Sequence, residues 1–149
     1  VSISDGYPRA ARNLLVHYYR HYFGDDGRLA LARDRYVIAE AERSPLHELF
    51  GGADYEQGFR VLKAQLGHLG LAVPTLYKQY TEVCEPGGAR FLDFGVDARF
   101  SNCVDGLVLV DLHLLKSAKR ARYMADHGAT LLSPDASNAR LTDRSRYAA

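Results

Sequence analysis

The stretch VPTLYKQYTEVCEPGGARFLDFGVD, residues 73–97, decides the fold because a helical pattern turns into a strand pattern within one short run. TLYKQYTEVC, residues 75–84, follows a proline and predicts a helix that ends at the double glycine of Pro86-Gly87-Gly88. ARFLDFGVD, residues 89–97, sets Phe, Asp, Gly and Asp against Leu, Phe and Val in alternation, which predicts a strand.

A second strand is predicted directly after the first. VDGLVLVDL, residues 104–112, is almost continuously apolar, which is typical of a central strand. Because the link ARFSNC is short, we expect the two strands to form an antiparallel hairpin.

The remaining segments predict helices around this hairpin and one further strand. Apolar residues at three- and four-residue steps predict helices over 7–23, 46–50, 55–70 and 114–127. A run of residues that favour strands, Tyr36, Val37 and Ile38, predicts a strand over 35–40. The fold class is therefore mixed α/β, with helices packed on a small mixed sheet that ends in the hairpin. We expect one α/β domain over 1–132 and a mobile tail over 133–149. The first residue is Val1 and the only methionine is Met124, so we expect the chain to be part of a longer polypeptide.

Composition excludes several classes of protein. The 149 residues carry a net charge of +1, which gives no electrostatic reason to expect nucleic acid binding. No run approaches the length of a membrane span, and the first residues lack the apolar core of a signal peptide. The two cysteines, Cys84 and Cys103, are too few for a disulfide framework and indicate reduced thiols in a cytoplasmic protein, with a single bridge as the alternative.

The helix at 75–84 carries the side chains that are the best candidates for chemistry. Tyr77 and Tyr80 are three residues apart, which puts them on roughly the same side of a helix, and Lys78 and Glu82 lie on that helix too. A phenol beside a cation can give a proton to a leaving group, and a glutamate can accept one. The alternative is that both rings pack in the core and keep their hydroxyls at its rim.

Two other groups of side chains have plainer interpretations. His17 and His21 are four apart on one helix face, a spacing that suits a metal ion, but with no third ligand evident we interpret them as solvated and expect no metal. Lys116, Lys119 and the arginines at 120 and 122 form a basic cluster in the last helix, either a solvated face or a contact with anionic lipid or phosphate.

The order of elements around Leu76-Tyr77-Lys78 resembles the C-terminal half of the GNAT acyltransferase superfamily. In that fold a helix with the pattern L-Y-x-K/E is followed by a glycine-rich step and two antiparallel strands. The resemblance implies that Tyr77 is the general acid to the departing thiolate. It also implies that Tyr80 and Lys78 line the acyl or phosphate side, and Glu82 is our choice of base for the acceptor.

A closer likeness covers most of residues 45–125, which resemble the GNAT-like portion of bacterial proteins described as putative hemolysins or ornithine-lipid-type N-acyltransferases. The shared features are Val73-Pro74, the D-x-x-F of Asp97 and Phe100, and the strand end Val110-Asp111-Leu112. The resemblance places Asp97 and Phe100 among the substrate-binding residues, although we expect them to hold the hairpin turn rather than to take part in the chemistry. The superfamily's phosphate-binding pattern Q/R-x-x-G-x-G/A has only Gly70-x-Ala72 as a near match, preceded by Gly67 and at the wrong end of its helix.

We therefore predict an acyltransferase that moves an acyl group from an acyl carrier protein or coenzyme A thioester to an amine or hydroxyl acceptor. The alternatives are a non-catalytic module that contacts acyl carrier protein, a lipid surface or a partner chain through the basic last helix, and an accessory domain of a larger enzyme. A location in the cytoplasm, at the surface of the inner membrane, fits these predictions.

Overall fold

The computed structural model describes residues 1–26, 29–52 and 54–124, with side chains up to residue 122. Within these ranges the elements follow in the order β1 (Ser2–Ile3), α1 (Arg9–Phe23), α2 (Glu40–Phe50), α3 (Tyr55–His68), α4 (Thr75–Glu82), β2 (Ala89–Asp97), β3 (Cys103–Val110), a 3-10 turn (Leu112–Leu114) and α5 (Ser117–Met124). The mixture of helices and strands confirms the predicted α/β character.

The sheet has three strands in the order β1-β3-β2. The hairpin of β2 and β3 is antiparallel, from the pair Ala89 and Val110 to the pair Asp97 and Cys103 at the turn, as the short link predicts. Strand β1 also pairs with β3 in the antiparallel sense. The described sheet is therefore antiparallel throughout, and the expectation of a mixed sheet is wrong.

A register shift in β2 changes which residues face the helices. The pairing with β3 is irregular between Phe91 and Asp93, which is the signature of a β-bulge. The extra residue brings Phe91 and Phe94 to the same face, where their rings stack at 5.3 Å with an angle of 2°. Gly106 lies opposite Phe94, and a Cβ there would come within 3.1 Å of both rings. The prediction that side chains alternate between the two faces of the strand along 89–97 is therefore wrong beyond the bulge.

Helices α1, α3 and α4 begin close to where the sequence predicts. The Asp54 side chain accepts a hydrogen bond of 2.8 Å from the Gln57 backbone N–H, so it caps α3. Pro8 and Pro74 precede α1 and α4, where a missing N–H costs no helical hydrogen bond.

The predicted strand at 35–40 is wrong. Only Arg35 forms a bridge, to Gly95 at the outer edge of β2, and α2 already begins at Glu40. Glutamates in the first turn favour this earlier helix start because they complement the positive end of the helix dipole, and Pro45 is included within the helix.

The core lies between the sheet and helices α1, α3 and α4. Tyr19, Leu62, Leu66 and Phe91 are among its members, and each is at most 1% exposed. The chain divides into two compact units, Val1–Lys116 and a second that begins at Ser117. Helix α5 is the described part of the second unit. The predicted domain end at 132 and the predicted tail over 133–149 lie outside the described residues.

Candidate functional site

Tyr77, the predicted general acid, is a core residue. Its exposed fraction is 0%, and its ring stacks on Phe91 at 5.4 Å and packs against Tyr19 at 4.9 Å. The hydroxyl donates a hydrogen bond of 3.2 Å to the carbonyl oxygen of Val1. Burial, with a smaller contribution from the carboxylate of Asp105, raises the pKa of the Tyr77 phenol, which makes it a weaker acid than a free phenol.

The other candidates on α4 lie at the protein surface, outside the core that surrounds Tyr77: they are Lys78, Tyr80 and Glu82. Tyr80 is 38% exposed, because a step of three residues turns its side chain about 60° around the helix and out of the core. Lys78 and Glu82 form an exposed ion pair with 3.6 Å between Nζ and Oε1. Tyr77 therefore lies in the core and Tyr80 at the surface, so the alternative in which both rings pack in the core holds for Tyr77 alone. The roles proposed for Tyr80, Lys78 and Glu82 stay predictions.

Asp97 and Phe100 lie in the turn of the hairpin. The Asp97 carboxylate accepts a hydrogen bond of 2.8 Å from the Arg99 backbone N–H, and the Asp97 carbonyl accepts one of 3.1 Å from Phe100. The next two residues, Ser101 and Asn102, have φ of 51° and 54°, the left-handed conformation that turns the chain back into β3. This geometry agrees with a role in the turn, and the Phe100 side chain is 75% exposed.

The partial phosphate-binding pattern Gly70-x-Ala72 lies at the C-terminal end of α3. Gly70 has φ of +68°, and its N–H donates to the carbonyl of Gly67. The N–H of Leu71 donates to the carbonyl of Leu66. These amides terminate the helix, so they are not arranged to hold a phosphate, which binds at the opposite end of a helix.

A groove beside the hairpin is the feature that the sequence did not predict. It has a volume of about 290 Å³, and its lining is predominantly apolar. The residues that line it come from β2, β3, the segment before Arg35 and the first residue: Val1, Leu31, Ala32, Asp93, Gly95, Asp105, Gly106 and Leu107. The Val1 carbonyl that accepts the Tyr77 hydroxyl belongs to this lining residue, so Tyr77 lies behind the wall of the groove.

Asp93 holds in place the wall of the groove that the Ala32 segment forms, which we call the far wall. Its carboxylate accepts hydrogen bonds from the Ala32 backbone N–H at 2.9 Å and from Arg35 Nε at 2.8 Å, and Arg20 Nη2 lies 3.3 Å away. Burial by itself raises the pKa of Asp93, but the N–H groups of Ala32 and Phe94 and the Arg35 guanidinium outweigh it and hold the pKa below its ordinary value. The ionised carboxylate therefore anchors the segment around Ala32 to β2.

Three histidines meet on the other side of α1. His17 and His21 lie on α1 as the sequence predicts, and His47 of α2 joins them. One nitrogen from each ring can be chosen so that all three lie within 4.8 Å of one another. The interpretation of a solvated histidine is confirmed for the exposed His21, but His17 is half-buried, and the expectation that no third ligand is near is wrong. His47 was missed because it is 26 residues beyond His21, and only the packing of α2 on α1 brings it there.

The cysteines are free and buried, and burial raises the pKa of both thiols. Buried thiols of raised pKa are poor nucleophiles, so neither cysteine is suited to nucleophilic chemistry.

Comparisons with known proteins leave the family undetermined. The chain matches none of the family models, and searches of the curated proteins and of the solved structures found no match. Within the described ranges, every helix is too short or too polar to cross a bilayer. The GNAT-like resemblance therefore stays a prediction.

Proposed function

We propose that this chain is the accessory portion of an acyltransferase that uses an acyl thioester, carried by acyl carrier protein or coenzyme A, and an amine or hydroxyl acceptor. In this proposal the groove between the hairpin and the Leu31–Ala32 segment holds the acyl chain. Tyr77 is a positioning residue behind the groove, and the groups that react come from another part of the polypeptide or from a partner chain.

The observation that carries the proposal is the apolar groove. Its volume of about 290 Å³ is just below the roughly 300–1,000 Å³ that is usual for small-molecule sites. Leu31 and Leu107 line it and are 62% and 52% exposed, so apolar surface is available to a ligand. Each methylene of an acyl chain buried there would contribute about 0.8 kcal/mol to binding.

The order of elements supports the same proposal. Leu76-Tyr77-Lys78 lies on α4, Gly87 follows in the turn after it, and the antiparallel pair β2 and β3 comes next. This is the order expected from the resemblance to GNAT acyltransferases.

The position of Tyr77 argues for an accessory role. A general acid must come within hydrogen-bond reach of the group that it protonates. The Tyr77 hydroxyl is buried and already donates to the Val1 carbonyl. A thiolate leaving group would therefore have to displace packed core side chains before it reached this proton.

Turnover by the full-length enzyme that carries Tyr77→Phe, in which the rest of the polypeptide or the partner chain supplies the reacting groups, tests this assignment. We expect kcat with acyl carrier protein or coenzyme A donors to stay within about twofold of the parent, after correction for the folded fraction. Loss of a general acid lowers the rate by about 10²–10⁴-fold. A fall of that size in kcat, with a folded variant and unchanged KM, would make Tyr77 the acid and refute the accessory role.

A binding module is the second candidate, and two observations favour it. The surroundings of Tyr77 are closed, and Leu112 and Leu114 are 49% and 39% exposed. Contact with acyl carrier protein or a lipid surface through the basic residues of α5 also stays a prediction. Binding of acyl carrier protein that carries no acyl chain would favour this module, because the groove would then have no occupant.

A further inference from the structure

The histidines of α1 and α2 form a compact cluster that the proposed function does not use. The rings of His17 and His21 stack at 6.1 Å, and that of His47 lies edge-on to them at 6.4 and 6.0 Å. Side chains four apart on a helix share one face, so the first two are neighbours because of their spacing. The third joins them because α2 packs against α1.

His17 Nε2 is buried and has no hydrogen-bond partner. The ring stacks on Phe50, with 5.8 Å between the ring centroids. A buried polar atom without a partner destabilises the fold, and a bond from this nitrogen to a bound cation would remove that cost.

We propose that His17, His21 and His47 form a binding site for a divalent transition-metal ion of the zinc class. In tetrahedral zinc sites the metal lies about 2.0–2.1 Å from each nitrogen, so the nitrogens are roughly 3.3 Å apart. The three nitrogens lie within 4.8 Å of one another, so a modest rotation of the exposed His21 and His47 rings brings them to that distance. Water would complete the coordination, as in three-histidine zinc sites.

The surrounding charge determines which cations the site accepts. Arg20 and Arg43 lie close enough to disfavour a positive charge on His17, and neutral imidazoles supply no negative charge to offset them. Hard cations such as Mg²⁺ and Ca²⁺ prefer oxygen ligands, whereas imidazole suits Zn²⁺, Cu²⁺ and Ni²⁺. The site should therefore bind Zn²⁺ with moderate affinity and leave Mg²⁺ unbound.

Bound metal would join two helices. His17 and His21 belong to α1 and His47 to α2, so the ion would link these helices in the folded chain only. An ion that binds only the folded state, at a free concentration of 100 times its Kd, raises the free energy of unfolding by about 2.7 kcal/mol. Zn²⁺ should therefore raise the melting temperature.

Zinc titration by calorimetry, with thermal melts alongside, tests the site on the whole chain. His47→Ala is the main variant because this side chain is exposed, and His68→Ala, an exposed histidine at the end of α3, is the matched control. We expect one Zn²⁺ per parent chain, at least tenfold weaker binding by His47→Ala and by His21→Ala, and an affinity of His68→Ala within twofold of the parent. The rise in melting temperature should disappear in His47→Ala and persist in His68→Ala.

Two results would overturn the proposal. One is the absence of saturable Zn²⁺ binding by the parent chain. The other is binding by His47→Ala and His21→Ala that is as tight as that of the parent, which would assign the zinc to other side chains.

Discussion

The Tyr77 hydroxyl donates a hydrogen bond of 3.2 Å to the carbonyl oxygen of Val1, and the Gly106 N–H donates to the same oxygen at 2.6 Å. One carbonyl therefore ties α4 to β3. Since Val1 and Gly106 both line the groove, the Tyr77 phenol contributes to the shape of that groove without reaching it.

Replacement of Tyr77 by Phe should lower stability modestly. The variant keeps the stack on Phe91 but loses one hydrogen bond, so we expect the free energy of unfolding to fall by about 1 kcal/mol in urea denaturation. Tyr80→Phe is the control, because Tyr80 is partly exposed and a surface change of this kind alters stability by less than about 0.5 kcal/mol. Equal losses in both variants would contradict the assignment of the hydrogen bond.

Replacement of Asp93 by Asn should cost more. The asparagine amide would face donors, the Ala32 N–H and the Arg35 guanidinium, where the carboxylate now accepts. Removal of one partner of a buried ion pair costs about 3–5 kcal/mol, and because the Arg35 side chain is 55% exposed we expect a loss of about 2 kcal/mol.

The exposed pair of Arg9 and Glu42 provides the control for Asp93. Glu42→Gln should change the free energy of unfolding by less than about 1 kcal/mol, since exposed ion pairs contribute little. If Asp93→Asn unfolds at the same urea concentration as the parent, then Asp93 does not anchor the far wall of the groove.

His17 makes stability depend on pH in the acid range. Its pKa is about 4 in the folded chain, against about 6.5 for an ordinary histidine, so the unfolded chain binds the proton more readily. Stability is therefore fully present above about pH 6.5 and declines as the pH falls towards 4. In metal-free buffer, the His17→Gln variant should lose less stability than the parent over this window. Parallel pH profiles for the two proteins would rule out this contribution.

Two glycines offer a paired test of packing. A Cβ on Gly95 would lie 2.9 Å from the Ala32 Cβ and 3.3 Å from the Asp34 carbonyl oxygen, so Gly95→Ala should push the segment off β2 and cost about 1–3 kcal/mol. Gly67, inside α3, has nothing within 4 Å of such a Cβ, so Gly67→Ala should stabilise the chain by about 0.5–1 kcal/mol. Thermal melts of both variants measure the difference, and a lower melting temperature for Gly67→Ala than for Gly95→Ala would refute the packing of this segment on β2.

The parts of the fold that sequence predicts are those set by local rules. The caps of α1, α3 and α4 and the Gly87–Gly88 turn follow from the residues at those positions, and so does the antiparallel hairpin. The bulge between Phe91 and Asp93 is different, because it depends on how β3 pairs with β2. Its consequence, two aromatic rings on one face, contradicts simple alternation.

The candidate site depends even more on tertiary packing. Tyr77 and Tyr80 have the same residue type and neighbouring positions on α4, yet one is sealed in the core and the other is at the surface. His47 joins His17 and His21 only through the packing of two helices. The groove similarly requires Leu31 and Leu107, 76 positions apart in the chain, to lie on its two sides.

The sharpest test of the groove as an acyl-binding site is a titration with an acyl thioester. Leu107→Arg would put a charge in the groove at a side chain that is 52% exposed, and Leu69→Arg makes the same change at a residue outside the groove lining that is 46% exposed. Calorimetric titration with a medium-chain acyl-coenzyme A, with coenzyme A alone as the reference ligand, measures the effect. If the acyl chain occupies the groove, Leu107→Arg weakens binding of the acyl form at least tenfold, while Leu69→Arg stays within twofold of the parent. Unchanged binding by Leu107→Arg, or equal affinity for coenzyme A without its acyl chain, would contradict acyl binding in the groove.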